Sequence, residues 1–454
     1  MQRVGKWSAA SRNRVADLLF STTSGAGLSS WRFNVGGGIN PRITHPWRTA
    51  ETFELAEGRY DWTRQAGERW FLAAAKARGV PRFLAFVNSP PGRMTRNGLT
   101  YCGKGGASNL RPGFEAQYAR YLGDVLDHFR TNPDETERIA FDYVSPVNEP
   151  QWDWEGHSQE GMRASNADIK RMARALATEL KRRGSSTELA MLESGCLPDM
   201  WRLNRKATET WGEPYGDYLA QFIGDPEIAP LLAKRIGYHS YGSDLVTGPL
   251  LEHRRMLGER MTRFPGWKIW QTEYCILVGS EGKGGSGRDL TMNTALDVAR
   301  IIHLDLTLVG VSAWQWWTAF SPEDYKDGLI YTNWKKPGDD ETIYPAKLLW
   351  VMGNYSRFVR PGMTRVELTG GAHDVQGLMG SAYKGGKRVI VVYVNMGHSP
   401  RTLELTAGGR RLGPMTPFVT SDQPGDDLKR YPDVSGTVTL RARSVTTLTA
   451  EYAQ

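Results

Sequence analysis

The sequence predicts an α/β fold, a (β/α)8 barrel of the TIM type carrying a C-terminal β-sandwich. Three observations predict it. From about residue 31 to 318, short apolar runs alternate with amphipathic helical ones. That alternation continues for nearly 300 residues, too long for a small open sheet and right for a barrel. After about residue 350 the texture changes to short β-branched runs punctuated by Gly, Pro, Asn and Asp, the pattern of an all-β sandwich. The expected division is therefore 1–350 for the barrel and 351–454 for the side domain.

Taken in order, the chain opens on a helix-like segment, about 8–20, which leads into "WRFNV" (31–35). The other strand candidates are "RFLAFVN" (82–88), "AFDYVSPVN" (140–148), "ELAMLES" (188–194), "RIGYHSY" (235–241), "WKIWQTE" (267–273) and "VSAWQWW" (311–317). Between them, "FEAQYARYLGDVLDHF" sets Phe114, Tyr118, Tyr121, Val125 and Phe129 on one helical face at steps of three and four. "SNADIKRMARALATELKRRG" does the same with Ile169, Met172, Leu176 and Leu180, with Asn166 as cap and Gly184 as stop. "NTALDVARIIHLDLTLVG" repeats the pattern and ends on Gly310. Seven strands are visible where a barrel needs eight, and the first is the one expected to be missing or truncated. Beyond 350, "VELTG", "RVIVVYVNM" and "RTLELTA" read as sandwich strands without a titratable cluster.

Composition narrows the function. Apolar residues at 40% and charged residues at 23% describe a globular chain. The 16 Trp and 18 Tyr exceed what a core requires and suit stacking on sugar rings or bases. The net charge of +8 comes from Lys and Arg scattered among acids, without a basic run, so no nucleic-acid partner is expected. Cys102, Cys196 and Cys275 are far apart and show no ligand spacing, so no metal is expected. No strand is followed by a glycine-rich phosphate loop, and no organic cofactor is expected. No apolar run reaches the roughly 18 residues of a membrane span, and the N-terminus carries no apolar leader.

Barrel chemistry sits at the C-terminal ends of strands. There the sequence places three carboxylates: Glu149 in "DYVSPVNEPQWDW", Glu193 in "AMLESG" and Glu273 in "KIWQTEYC". A single glutamate at a strand end is more often a surface or capping residue. Glu149 and Glu273, each beside tryptophan, are better read as a pair of acids for glycoside hydrolysis, one attacking the anomeric carbon and the other protonating the leaving oxygen. Such a pair needs environments that keep one protonated and the other ionised. Trp152, Trp154, Trp270, Trp314, Trp316 and Trp317 lie at or near the same ends, as sugar platforms or as core. Trp314 and Trp316 share a strand face, as do His239 and Tyr241, which would orient a carboxylate or touch the sugar. Glu193 stands between a supporting and a structural role.

These residues resemble a known family. "SPVNEPQWDW" is similar to the acid/base segment of glycoside hydrolase family 30, retaining enzymes with a (β/α)8 barrel and a side β-sandwich, and "IWQTEYC" to its nucleophile strand. "RFNVGGG" (32–38), "NSPPGRMTRNG" (88–98) and "LRARSVTTL" (440–448) extend the resemblance over nearly the whole chain. It implies Glu149 as acid/base, Glu273 as nucleophile, Asn148 as partner of the sugar 2-hydroxyl, and Arg32 beside the nucleophile. It also implies a polysaccharide or oligosaccharide substrate, no cofactor, and secretion. Relative to the family pattern the sequence opens late, since residues upstream of "GKWSAASR" look cut away. Within the family, "NSPPGRMTRNG", "NEPQWDW" and "SQEGMRASN" are most similar to endo-β-1,6-galactanases. Glucuronoxylanase, β-1,6-glucanase or glucosylceramidase-like activity, or an inactive carbohydrate-binding relic, are the alternatives.

Overall fold

The structure, a computed structural model, describes all residues except 105, 334–339, 371–372, 408–409, 412 and 452–454. The fold is α/β. Its α-helices run in chain order as α1 (Ala9–Phe20), α2 (Ala66–Ala77), α3 (Glu115–Arg130), α4 (Asn166–Arg182), α5 (Arg205–Trp211), α6 (Pro249–Met261), α7 (Met292–Leu304) and α8 (Lys347–Ser356). The chain divides into two compact units that interleave in sequence. One comprises Met1–Lys6, Ser30–Tyr274 and Leu308–Trp316; the other comprises Trp7–Ser29, Cys275–Thr307 and Trp317–Gln454. Residue 350, where the texture of the sequence changes, lies inside α8.

The first unit is built on parallel strands: β1 (Trp31–Asn34), β2 (Phe83–Phe86), β3 (Tyr143–Ser145), β4 (Glu188–Leu189), β5 (Glu193–Ser194), β6 (Arg235–His239) and β7 (Lys268–Glu273). They hydrogen-bond in sequence order as β1-β2-β3-β4 and β5-β6-β7. Single parallel bridges add Asn148 to Glu193 and Gln271 to Trp314. Six of the seven strand candidates thus form strands, and "ELAMLES" divides into two pieces. The segment 311–317 contributes only the bridge at Trp314, held by Ser312 N to Ile269 O at 3.0 Å and Gln271 N to Ala313 O at 3.0 Å.

Burial explains why these short runs are strands. In β7 every residue after Lys268 is buried, as expected for a parallel strand covered on both faces. Leu84, Tyr143, Ala190, Ala233 and Trp270, from successive strand regions, form one packed layer. Phe33 of β1 meets Phe129 of α3 edge-on at 5.4 Å and Phe141 at 5.9 Å. Helix α4 buries Ile169, Met172, Leu176 and Leu180, the face read from the sequence. Its cap is Ser165 rather than Asn166: the Ser165 hydroxyl accepts from Asp168 N, and Asn166 is the first helical residue. Gly184, at φ +59°, provides the left-handed exit expected of a helix stop.

The second unit contains a six-stranded antiparallel sheet made of β8 (Thr364–Val366), β9 (Leu378–Gly385), β10 (Arg388–Asn395), β11 (Met415–Ser421), β12 (Lys429–Arg430) and β13 (Ser444–Glu451). Its order is β8-β9-β10-β13-β11-β12. One face packs Ala382, Val391, Tyr393, Met415, Leu448 and Ala450 against Leu405, Val438 and Leu440. The last two lie on one strand, Thr437–Leu440, which pairs separately with Arg401–Glu404. The buried Asn354 of α8 donates to Phe418 O at 3.1 Å and Thr447 Oγ1 at 3.0 Å, and accepts from Thr420 Oγ1 at 2.7 Å. Among the described residues no helix is long and apolar enough to cross a membrane.

Leu448 is 1% exposed at the centre of that packed face. Leu448→Ala is expected to destabilise the fold by about 2–5 kcal/mol through the lost transfer energy and the cavity left behind. Urea unfolding checks this, and a loss below about 1 kcal/mol would show the packing to be loose.

Candidate active site

The site is assembled by the ends of β1, β3, β5, β6 and β7. Asn148 and Glu149 follow β3, and Asn148 bridges to Glu193 of β5. Glu149 N donates to Glu193 O at 2.8 Å. Glu149 itself adopts φ +45°, a left-handed conformation that side-chain-bearing residues rarely adopt. Two donors hold its carbonyl there: Trp152 N at 3.0 Å and Trp154 Nε1 at 2.9 Å. The tryptophans after Asn-Glu-Pro therefore divide their work, Trp154 buried as a clamp on the turn and Trp152 60% exposed. Gly195 leaves room for the acid, because a Cβ there would stand 3.3 Å from Glu149 Oε1.

A register shift in the β6–β7 pairing, between Tyr238 and His239, sets His239 opposite Glu273. Such an irregularity re-aims a side chain. His239, fully buried, places Nδ1 2.8 Å from Glu149 Oε1, Nε2 3.3 Å from Glu193 Oε2, and Nδ1 3.7 Å from Glu273 Oε1. Arg32 donates Nη1 to Glu273 Oε2 at 2.6 Å and Nη2 to Asn148 Oδ1 at 2.9 Å. The same Nη2 lies 3.2 Å from Glu193 Oε2. The guanidinium stacks 3.6 Å above the Phe86 ring, which fixes its plane. Tyr241 OH donates to Glu273 Oε1 at 3.0 Å, so both oxygens of Glu273 are engaged.

The charges settle as burial and neighbours dictate. Burial raises the proton affinity of Glu149, the hydrogen bond from His239 opposes this, and the balance lies above the ordinary carboxyl value. Burial also works against ionised Glu193, but Arg32 and His239 outweigh it and bring it down to about 2. Burial alone would strip the proton from His239; Glu273, Glu149 and Glu193 reverse that and carry it up to about 9. Desolvation lowers the Arg32 value, and Glu193 and Glu273 more than restore it. Glu149 and Glu193, which face the same imidazole through different nitrogens, therefore hold protons with unlike affinity.

Of the residues singled out from the sequence, Arg32, Asn148, Glu149, His239, Tyr241 and Glu273 come together in one hydrogen-bonded cluster. Trp314 and Trp316 stack on each other at 6.3 Å and 18°, half-buried, with Tyr274 edge-on to both. Trp152 is exposed, and its backbone N–H donates to the Glu149 carbonyl. Glu193 is more central than the sequence indicated. Its place at a strand end was visible, but its three buried contacts required the fold. One ligand-type atom each from Glu149, His239 and Glu273 lies within 4.8 Å of the others, a spacing that could hold a cation. Both imidazole nitrogens of His239 already face carboxylates, Nδ1 towards Glu149 and Nε2 towards Glu193.

Comparison with known proteins finds similar chains. A sequence model described as O-Glycosyl hydrolase family 30 matches residues 1–331. The chain is 25% identical to an endo-beta-1,6-galactanase of Hypocrea rufa, covering 94% of this chain and 85% of that protein. It is 29% identical to glucuronoxylanase XynC of Bacillus subtilis (strain 168), covering 83% and 77%. A crystal structure of a conserved exported protein from Bacteroides fragilis superimposes with a TM-score of 0.89 at 29% identity, covering 99% and 95%.

The raised His239 value carries a stability consequence. A proton held more tightly in the folded state stabilises fully below the ordinary histidine value of 6.5, and the gain is lost as pH rises through about 9. The difference in Tm between wild type and His239→Gln is therefore expected to shrink as pH climbs across that interval. Calorimetry at successive pH values checks it, and a constant difference would mean the imidazole is not the charged partner.

Proposed function

The chain belongs to glycoside hydrolase family 30 and is a glycosidase acting on β-linked polysaccharides; on that premise we propose a retaining endo-β-1,6-galactanase working by double displacement. The observation that carries the mechanism is separation. One carboxylate oxygen of Glu149 lies within 4.8 Å of one of Glu273. Retaining enzymes hold their carboxyl groups about 5–5.5 Å apart, whereas inverting ones leave about 6.5–9.5 Å for a water.

In this reading Glu273 is the nucleophile. Arg32 and Tyr241 each hold one of its oxygens, so that its carboxylate is fixed to face the anomeric carbon. Glu149, protonated, gives its proton to the glycosidic oxygen as the C–O bond breaks, and a glycosyl ester forms on Glu273. Glu149, now ionised, takes a proton from water as that water attacks the same carbon and displaces Glu273. Asn148, held by Arg32, would hydrogen-bond the sugar 2-hydroxyl, and Trp314 and Trp316 offer ring faces to the sugar. The parallel strands of the first unit are read as a (β/α)8 barrel and the antiparallel sheet as its side sandwich, with 351–454 as the side domain.

Galactan is favoured by the loops around Glu149. The segments similar to galactanases are laced together there: Ala164 N donates to Pro150 O at 3.0 Å, Arg163 Nη1 to Asp153 O at 2.5 Å, and the Asn88 side chain hydrogen-bonds Glu160. The slightly higher identity to the glucuronoxylanase makes glucuronoxylan the second reading.

Two outcomes test this. Glu149→Gln is expected to lower kcat by about 10²–10⁴-fold, the usual share of a general acid, and Glu273→Gln to lower it at least as far, both with native circular dichroism. Wild-type turnover in either variant rejects the assignment. Incubated with β-1,6-galactan, β-1,6-glucan and glucuronoxylan in parallel, the wild type should release oligosaccharides fastest from galactan. Release from glucuronoxylan alone would transfer the substrate to the second reading.

A further inference from the structure

Arg32 and His239 serve the two catalytic glutamates, and a third carboxylate touches both. Glu193 is 2% exposed. Its Oε2 lies 3.2 Å from Arg32 Nη2 and 3.3 Å from His239 Nε2. Thr272 also hydrogen-bonds it, and Glu193 O accepts from Glu149 N at 2.8 Å. It is on the far side of the imidazole from Glu149 and on a different guanidinium nitrogen from the one that meets Glu273. It therefore has no path of its own to a sugar, and acts only through the groups it touches.

We propose that Glu193 is a positioning residue for hydrolysis: its carboxylate keeps His239 protonated at both nitrogens and turns Arg32 to face Glu273 and Asn148. The inference rests on Glu149 and Glu273 having the roles given above. The charges facing the cluster are Arg32 from β1, Glu149 after β3, Glu193 from β5, His239 from β6, Glu273 from β7, and the neutral hydroxyls of Tyr241 and Thr272. Cys196, beside Glu149, is a neutral thiol because burial raises its value out of the working range. In the mechanism proposed above Glu149 carries the acid's proton and Glu273 is the attacking anion, so that Arg32 and His239 together balance Glu193 and Glu273. Removing one negative charge leaves an uncompensated positive one, which expels a proton from the Glu149–His239 pair at lower pH. Whichever of the two sites yields it, the pair's first proton loss moves down, because the macroscopic value belongs to both.

The test is the pH dependence of kcat/KM on β-1,6-galactan for wild type, Glu193→Gln and Glu193→Asp. In Glu193→Gln the basic limb is expected to fall by about 1–2 pH units, the usual effect of one neighbouring charge, with kcat and kcat/KM reduced together. Glu193→Asp keeps the charge and should return the limb towards wild type. A basic limb that stays in place in Glu193→Gln while activity and Tm drop together would assign Glu193 a purely structural role. Imidazole 15N spectra of the wild type provide a second measurement that does not depend on the variants folding. Two protonated nitrogens on His239 at pH 7 are expected, and a neutral imidazole overturns the proposal. If Glu149→Gln and Glu273→Gln both keep activity, the catalytic assignment fails first; if both lose it and the limb is unmoved, only this inference fails.

Discussion

The contact between Arg32 and Glu273, 2.6 Å and nearly out of water, is the constraint around which the site is arranged. Taking two such charges from solvent costs several kcal/mol each, and their attraction offsets this only with good geometry and full hydrogen bonding. The surroundings meet both conditions. Phe86 supports the guanidinium face, Asn148 and Glu193 occupy its other nitrogen, and Tyr241 takes the second oxygen of Glu273. Each partner comes from a different strand end, so the ion pair can form only when the parallel strands are in register. The β6–β7 irregularity at His239 belongs to the same arrangement, because it turns the imidazole towards the carboxylates.

The strain at Glu149 follows from the same requirement. A left-handed glutamate costs of order 1–3 kcal/mol, and it is held by two hydrogen bonds to one carbonyl and by a third from its own N–H to Glu193. This explains the unusual density of tryptophan after Asn-Glu-Pro. Trp154 acts on the backbone, not on a sugar, whereas Trp152 is free of the core and available to a ligand. The stacked Trp314 and Trp316 are a further pair of ring faces, presented by a segment that is barely a strand, with its backbone tied to β7 at Gln271.

Much of this was legible in the sequence, and the failures have physical causes. The alternation of apolar and amphipathic runs located β1 to β7 because buried parallel strands must be apolar on both faces. The two acids were legible because strand ends with adjacent tryptophan are costly and specific. The cap of α4 was misplaced by one residue because Ser165 and Asn166 both have capping side chains, and only backbone geometry distinguishes them. Glu193 was undervalued because its meaning lies in contacts 46 and 161 residues away, with His239 and Arg32, which no local pattern encodes. The interleaving of the two units was invisible for the same reason: α1 and α7 are recognisable as helices, but no local pattern says which unit each joins.

What all of this predicts about chemistry comes down to the stereochemical course at one carbon. Proton NMR of a digest in deuterated water, recorded within the first minutes, identifies the anomer released before mutarotation. Carboxylates this close leave no space for a water opposite the leaving group, so the new reducing end should appear in the β configuration and drift to equilibrium afterwards. First appearance of the α anomer would mean direct displacement by water and would contradict the account.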